Sequence, residues 1–297
     1  MSSRRRSVVA GCALAAVLAA AACGGSRSAT PAAPQSPTLP SPGGPSVNVA
    51  PVIEGIALSS ERVEVDNEVT LSASVKDDET PIDQLSFAWK ADAGSISGDG
   101  ASVKWRAPKD VSTPADYTVA LTVTERYGVP DASGARPQNV TTATSPVIRV
   151  HNSPKELGDM SLLFLSDFAK STVPSGTCLQ NFSDSCRGKA DERSDIDTNR
   201  KYYLILSSSL DLRSVSIGST RTNANMTVAC AFTSRIVNCS KSDPASPACS
   251  MVGSTESVKG DCVLTGVYEQ KRWWLCDSRF LSKGLMPASM RGFFGGR

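Results

Sequence analysis

The side chains that can do chemistry in this sequence are mainly thiols, and they are concentrated in its C-terminal part. Nine cysteines are present. Seven of them follow residue 177: Cys178, Cys186, Cys230, Cys239, Cys249, Cys262 and Cys276. None is spaced as C-x-x-C, which argues against a thioredoxin-type redox site or a zinc ribbon. In an exported domain this density predicts disulfides, with one cysteine left over because seven is odd.

Two of these cysteines lie in the most regular pattern of the chain, Val258–Phe280. Two apolar runs there flank a polar break at Glu269-Gln270-Lys271, which predicts a β-hairpin. A hairpin centred on Glu269 places Cys262 opposite Cys276, within disulfide reach. We therefore prefer the bridges Cys262–Cys276 and Cys178–Cys186, although the sequence does not fix the connectivity.

The same hairpin supplies the candidates for a ligand-facing surface, which are Tyr268, Trp273 and Trp274. Neighbouring residues of a strand point to opposite faces of the sheet, so the two tryptophans cannot both face one pocket. An exposed tryptophan suits stacking on a ligand or a sugar. Burial in the core or in a domain interface is the simpler interpretation.

Side chains for acid–base catalysis are scarce. The only histidine is His151, which falls in a predicted joint between two domains. Asp211, Asp261 and Asp277 flank predicted strands and are within reach of a cavity, but turn and surface roles are the simpler interpretation. The sequence contains no serine nucleophile elbow, phosphate loop or dinucleotide fingerprint. We therefore predict no catalytic residues, no cofactor and no enzymatic activity.

One group of acidic residues is a candidate for a metal site. Asp77, Asp78, Glu79 and Asp83 cluster in a predicted loop. Carboxylate oxygens are the ligands that calcium prefers in proteins. The spacing matches no EF-hand, so a solvated turn without metal is the simpler interpretation and calcium is the alternative.

The N-terminus predicts export. Arg4-Arg5-Arg6 precede the apolar run Val8 to Ala22, so residues 1–22 have the features of a secretory signal peptide. The run ends in Ala20-Ala21-Ala22-Cys23, which resembles the bacterial lipoprotein box. The resemblance implies that Cys23 carries lipid and anchors the protein to a membrane, on its periplasmic or cell-surface side. An ordinary cleaved signal and a twin-arginine signal are the alternatives.

The charge of the mature chain excludes one class of partner. The signal removes three arginines and no acidic residue, which leaves 28 basic and 29 acidic side chains. Without a basic face, nucleic acid is not an expected partner. A protein or a glycan of the cell envelope is the expected partner besides the membrane, and the sequence does not indicate an oligomeric state.

Residues 23–50 are mostly Gly, Ser, Pro and Ala, without apolar periodicity. Such a segment cannot bury enough surface to fold, so we predict a disordered linker. Its prolines favour extended structure, which would hold the folded part away from the membrane.

Residues 51–151 have the pattern of an all-β domain. Short alternating runs separated by turn residues, about seven in about 100 residues, predict a β-sandwich. In order, Val69–Val75, Leu85–Trp89, Val103–Pro108 and Asp116–Val123 resemble a bacterial PKD or Ig-like domain. The resemblance implies that Trp89 is the core tryptophan. It also implies a spacer, an adhesion module or an aid to polysaccharide binding.

Residues 152–281 predict a second domain in which helices precede strands. Ser153-Pro154-Lys155-Glu156 is typical of a helix start with Ser153 as N-cap, and further helices are expected near 178–185 and 189–200. Strands follow over 201–207, 211–217 and 226–233, and then the hairpin. This order predicts an α+β domain with helices on one face of a curved antiparallel sheet, and a C-terminal tail at 282–297.

The order of these elements resembles the NTF2-like fold, the α+β cone of SnoaL-type cyclases and ketosteroid isomerases. Phe182–Lys189, Val228–Phe232, Gly260–Thr265 and Tyr268–Ser278 are similar to NTF2-like domains of bacterial lipoproteins. The resemblance implies a concave sheet face that holds a ligand or, in the enzymes, an acid–base residue.

Together these expectations describe a non-catalytic, membrane-anchored bacterial lipoprotein. In it, an Ig-like spacer presents an NTF2-like binding or interaction module. Two alternatives are a polysaccharide-binding accessory protein of the cell envelope and a cone-fold enzyme that acts on a small apolar substrate.

Overall fold

Strands dominate the parts of the chain that the computed structural model describes, which are residues 48–238 and 252–282. In these parts 50% of the residues lie in strands and 18% in helices. They belong to one compact unit that contains two hydrophobic cores. We call residues 52–151 the first region and residues 153–282 the second region. The predicted signal peptide, Cys23, the linker up to residue 47, Cys239, Cys249 and the tail after Ser282 lie outside the described residues.

The first region is built from short strands arranged in three sheets. Its strands are β1 (Val52–Leu58), β2 (Arg62–Glu64), β3 (Glu68–Lys76), β4 (Ser86–Ala91), β5 (Ser95–Ser97), β6 (Ser102–Arg106), β7 (Ala115–Tyr117), β8 (Val119–Arg126), β9 (Gln138–Thr144) and β10 (Ile148–His151). The sheets have the orders β1-β3-β6-β5, β2-β10-β7 and β4-β8-β9. Strands β2 and β10 run parallel, and the other paired strands are antiparallel.

The core tryptophan of the first region is Trp105, and the expectation of Trp89 is wrong. Strand β6 alternates exposed and buried residues, which turns Val103 and Trp105 inward. Trp105 has no exposed surface, and its Nε1 donates to the carbonyl of Ala93 at 2.9 Å. Trp89 is only partly buried and donates to the carbonyl of Gly100.

The second region combines helices with a four-stranded antiparallel meander. Its elements are α1 (Ser153–Ala169), α2 (Ser175–Cys178), α3 (Gly188–Tyr202), β11 (Tyr203–Ile217), β12 (Asn223–Ile236), β13 (Thr255–Glu269) and β14 (Arg272–Ser282). The sheet order follows the chain order. Strand β12 alternates strictly, and its buried residues share a core with Leu157, Phe164 and Phe168 of α1. Among the residues that the structure describes, no helix is long and apolar enough to cross a membrane.

The predicted fold class, an all-β Ig-like or PKD sandwich followed by an α+β NTF2-like domain, is wrong. The described chain is largely all-β, because four sheets hold half of its residues and helices hold 18%. The physical reason is the length of the strands. The sequence predicts two strands, 201–207 and 211–217, which are separated just after Ser207 by Ser208 and Ser209. In the structure these serines belong to β11, where their side chains are exposed and their backbone pairs with Ala231–Thr233 of β12.

Helix α1 begins one residue away from its predicted start. Asn152, not Ser153, is the N-cap, and its side chain accepts a hydrogen bond from the amide of Lys155. Pro154 then lies in the first turn, where its missing N–H costs nothing. Helix α3 covers the predicted helix 189–200, whereas the predicted helix at 178–185 is wrong because α2 ends at Cys178.

The preferred disulfide pairings are also wrong. The hairpin turns at Gln270-Lys271, and both residues have positive φ, as in a two-residue type I′ turn. A β-bulge between Thr265 and Gly266 leaves Cys276 unpaired in the ladder, so Cys262 lies opposite Phe280. The bridges are Cys186–Cys276 and Cys230–Cys262, and Cys178 is a free, buried thiol.

Candidate binding cleft

A cleft of about 370 Å³ lies between α1, α3 and β14. Clefts of this size are typical of small-molecule sites. Apolar side chains from all three elements line it: Phe164, Leu165 and Phe168 of α1, Ile196 of α3 and Phe280 of β14. Acidic side chains complete the lining, so the cleft joins an apolar surface to a negative one.

Helix α3 places a glutamate on the wall of this cleft. Ile196 and Asn199 are the buried residues of α3, and Glu192 lies one turn before Ile196 on the same face. Oε1 of Glu192 accepts two hydrogen bonds from Ser278 of β14, one from its backbone amide at 2.9 Å and one from its hydroxyl. The described residues donate no hydrogen bond to Oε2.

The environment of Glu192 favours its protonated form. Burial raises the pKa of Glu192 to about 7. The hydrogen bonds from Ser278 oppose this rise, and the carboxylates of Asp277 and Asp195 add to it. A carboxyl group with such a pKa inside a cleft is a marker of a functional site.

Both ends of α3 are fixed to neighbouring elements, which holds the cleft wall in place. At its start, the disulfide Cys186–Cys276 ties the preceding loop to β14. Gly188 packs so closely that a Cβ atom there would lie 2.5 Å from the carbonyl oxygen of Cys276. At its end, Arg200 reaches the C-terminus of α1 and donates from Nη2 to the carbonyls of Asp167 at 3.1 Å and Lys170 at 2.8 Å.

The free thiol lies beside the same arginine. Nη2 of Arg200 is 3.4 Å from Sγ of Cys178. Burial raises the pKa of the Cys178 thiol, and the nearby Arg200 charge only partly opposes this. A buried thiol with a raised pKa is a poor nucleophile, so Cys178 is a core residue.

The predicted ligand-facing residues Tyr268 and Trp273 lie in the junction between the two regions, not in the cleft. Trp273 is 1% exposed and donates from Nε1 to the Ser153 hydroxyl at 2.7 Å. The guanidinium of Arg62, on β2, lies 3.6 Å from the centroid of the Tyr268 ring. Trp274 is partly buried, and the Arg272 guanidinium lies 3.9 Å from its ring centroid.

The single histidine is part of the same junction. His151 has no exposed surface, and its Nδ1 lies 2.9 Å from Oε2 of Glu156 while its Nε2 lies 3.0 Å from the Tyr268 hydroxyl. Burial raises the pKa of Glu156, but its contacts with His151, Thr113 and the Asn152 amide together hold the pKa below its ordinary value. Because both ring nitrogens have protein partners, His151 connects β10, α1 and the hairpin.

In the acidic loop of the first region, Asp77 closes a turn. Its Oδ1 accepts from the amides of Glu79 at 3.0 Å and Thr80 at 2.7 Å. Within residues 48–238 and 252–282, no group of three or more potential metal ligands occurs. The Asp77 carboxylate therefore stabilises the loop.

Of the three aspartates that flank predicted strands, Asp277 lines the cleft. Asp211 instead contacts Arg213 on the exposed face of β11, and Asp261 is not among the lining residues. Sequence reasoning missed Glu192 because it lies in a charged run that is typical of a solvated helix. The available signal was its spacing of four residues from Ile196, the apolar residue of that run.

Comparisons with known proteins do not assign the chain to a family. No protein-family model matches it, and no curated protein matches it. A conserved protein from Planctomyces limnophilus DSM 3776 is 11% identical, with a TM-score of 0.31 over 43% of this chain and 95% of that chain. The intermembrane space region of the chloroplast protein ARC6 is 12% identical, with a TM-score of 0.30 over 42% of this chain and 97% of that chain. These likenesses are too weak to support a functional argument.

Proposed function

We propose that the protein is a membrane-anchored bacterial lipoprotein that binds a small ligand in the cell envelope without catalysing a reaction. The first region acts as a spacer, and the second region carries the binding site. The observation that supports this proposal is the cleft between α1, α3 and β14. Its volume suits a small ligand, and its lining combines apolar side chains with polar ones.

The two parts of the lining have separate roles. An apolar ligand group on Phe164, Leu165 and Phe280 contributes about 25 cal/mol for each Å² of apolar surface removed from water. Glu192 and Asp277 fix the orientation of a polar group, because buried polar atoms must be paired. The disulfide and Arg200 hold the walls before the ligand arrives, which lowers the entropic cost of binding.

A blocked cleft tests this proposal. Ser194 lines the cleft but is exposed, so Ser194→Trp should fill the cleft without disturbing a core. Asp197→Trp, an exposed position of α3 outside the lining, is the matched control. A fragment screen followed by amide NMR shifts should map ligands to α3 and β14 in the wild type and in the control, but not in Ser194→Trp. If no fragment shifts these amides, or if Ser194→Trp binds equally well, the binding proposal is wrong.

The anchor is tested separately. Cys23→Ala removes the proposed lipid attachment site and should move the protein from the membrane fraction to the soluble fraction. Unchanged fractionation of Cys23→Ala would contradict the lipoprotein part of the proposal and leave the cleft untouched.

One observation favours a second candidate, an enzyme that uses Glu192 as general acid or base. A pKa of about 7 is suited to proton transfer at neutral pH. This candidate requires turnover of a small substrate that falls at least about 100-fold in Glu192→Gln while ligand binding persists. Such a result would replace the non-catalytic proposal.

The polysaccharide-binding alternative gains no comparable support. It rests on an exposed tryptophan face in the hairpin. Trp273 is in the core, and the Arg272 guanidinium covers one face of Trp274. The described hairpin therefore presents no open indole pair for stacking on a sugar.

A further inference from the structure

We propose that the ligand of the cleft is a cationic amphiphile, with an apolar body and one protonated amine or guanidinium group. This inference rests on the proposed function, because it assigns a chemical class to the ligand of the same cleft. The apolar body contacts the apolar lining residues, and the cationic group lies against Glu192 and Asp277.

The apolar residues of the lining favour a ligand with an apolar body. Helix α1 contributes only aromatic and aliphatic side chains to the lining, which are Phe164, Leu165 and Phe168. A purely hydrophilic ligand has little apolar surface to bury against these side chains. It would therefore gain little hydrophobic free energy on binding. The lining therefore combines apolar side chains with acidic ones, which suits a ligand that has an apolar and a charged part.

The acidic residues of the lining favour a positively charged head group. Glu192 is held in place through Oε1 by Ser278, while Oε2 lacks a donor from the described residues. A carboxylate oxygen that lacks a donor from the described residues is stabilised by an N–H of a cation. Asp277 lies next to Ser278 and adds a second negative charge to the same wall.

The competing classes fit less well. Among the described lining residues, Arg279 is basic, whereas Asp191, Glu192 and Asp277 are acidic. The Arg279 side chain is 71% exposed, and its Nε lies 3.4 Å from Oδ2 of Asp277. An anion would meet more negative charge than positive charge. A neutral ligand would further desolvate Glu192 without supplying a charge partner.

The charges around Glu192 couple binding of a cationic ligand to the protonation of Glu192. The charged groups around Glu192 are Asp191 and Asp195 on α3 and Asp277 and Arg279 on β14, whereas α1 contributes none to the lining. A bound cation stabilises the ionised carboxylate, so binding near pH 7 releases a proton from Glu192. Affinity for a cation should therefore rise as the pH increases from 6 to 8.

Three probes with one aromatic body and different head groups test the inference: 4-phenylbutylamine, 4-phenylbutan-1-ol and 4-phenylbutanoate. The purified protein is titrated by calorimetry at pH 7 in phosphate and in Tris, whose ionisation enthalpies differ. We expect the amine to bind at least about tenfold more tightly than the alcohol and to release about half a proton. Glu192→Gln should remove both effects. Asp197→Asn, an exposed acid outside the lining, should change neither.

The outcomes separate this inference from the proposed function. If the alcohol or the carboxylate shifts the cleft amides and binds as tightly as the amine, the cation assignment is wrong and the binding site stands. The same conclusion follows if the amine binds without proton release. If none of the three probes shifts the cleft amides at millimolar concentration, both the inference and the proposed function are wrong.

Discussion

Two glutamates, one in each region, show how the same side chain acquires opposite properties. Glu125 on β8 has no exposed surface and accepts hydrogen bonds from Thr80, from Asn48 at 2.7 Å and from Asn139 at 3.0 Å. Burial raises its pKa, but these hydrogen bonds outweigh burial and hold the pKa below its ordinary value. Glu192 has one donor residue and acidic neighbours, and its pKa rises to about 7.

Burial is the largest influence on both pKa values, and the two carboxylates differ in their donors, because three residues donate to Glu125 and one residue donates to Glu192. Both carboxylate oxygens of Glu125 accept hydrogen bonds. The side chain therefore connects β8 to Asn139 of β9, to Thr80 and to Asn48. Glu192 keeps one oxygen without a donor from the described residues. A fully satisfied carboxylate stabilises the fold, whereas a partly satisfied one is available for a ligand.

The largest expected effect comes from removing the disulfide beside Glu192. Replacing Cys186 and Cys276 by Ser opens a loop of 90 residues, which should lower the free energy of unfolding by about 4 kcal/mol. The start of α3 then separates from β14 and water reaches Glu192, so the pKa of Glu192 should fall from about 7 toward its ordinary value. Urea unfolding and an NMR titration of the Glu192 carboxyl measure the two effects.

The second disulfide provides the control for this prediction. Replacing Cys230 and Cys262 by Ser opens a loop of 32 residues within β12 and β13, with a similar loss of about 3–4 kcal/mol. This bridge joins β12 to β13 and does not tie the start of α3 to β14, so the pKa of Glu192 should not change. Equal pKa changes in the two variants would show that general loosening, and not the local crosslink, controls Glu192.

Glu125→Gln should destabilise the first region. The substitution replaces charge-assisted hydrogen bonds by neutral ones and leaves one donor facing another, with an expected loss of about 3 kcal/mol at pH 7. Because the folded pKa of Glu125 is lowered, its contribution is present above the unfolded pKa and is lost as the pH falls. The loss in Glu125→Gln should therefore shrink in acid, as urea unfolding at pH 7 and pH 4 will show. A loss that is the same at both pH values would contradict an ionised Glu125.

Glu192→Gln should stabilise the protein, whereas Glu125→Gln should destabilise it. The folded protein holds the Glu192 proton up to about pH 7, whereas the ordinary pKa of a glutamate is 4.5, so the wild type loses stability as the pH rises through this window. Gln mimics the protonated form, and we expect no change at pH 4 and a gain of about 3 kcal/mol at pH 8. Destabilisation at pH 8 would refute a raised pKa.

The smallest effect is expected for Ser278→Ala. The hydroxyl of Ser278 is one of two donors to Oε1 of Glu192, and its backbone amide persists in the variant. The pKa of Glu192 should rise above 7, with a change in stability below about 1 kcal/mol at pH 5. An NMR titration measures this rise, and a fall in the pKa would show that the hydroxyl does not stabilise the carboxylate.

Several local elements could be predicted from the sequence. Alternation located β3 and β8, and the Ser153-Pro154 pair located the start of α1 within one residue. These signals are local, because side chains a few residues apart determine which face of an element is apolar. Larger features were mistaken when a local signal was ambiguous: Ser208 and Ser209 separate two predicted strands, but pairing with β12 makes them part of one strand.

Only the tertiary structure determined the disulfides and the cleft. A two-residue turn and one bulge set the register of the hairpin, and a shift of this register changes which cysteines meet. Glu192 and Ser278 are 86 residues apart in sequence, and no local pattern brings them together. The sequence alone determined the periodicity of individual strands and helices and the predicted export signal. The structure determined the pKa of Glu192, because a pKa depends on which distant groups surround the carboxyl and how much water they exclude.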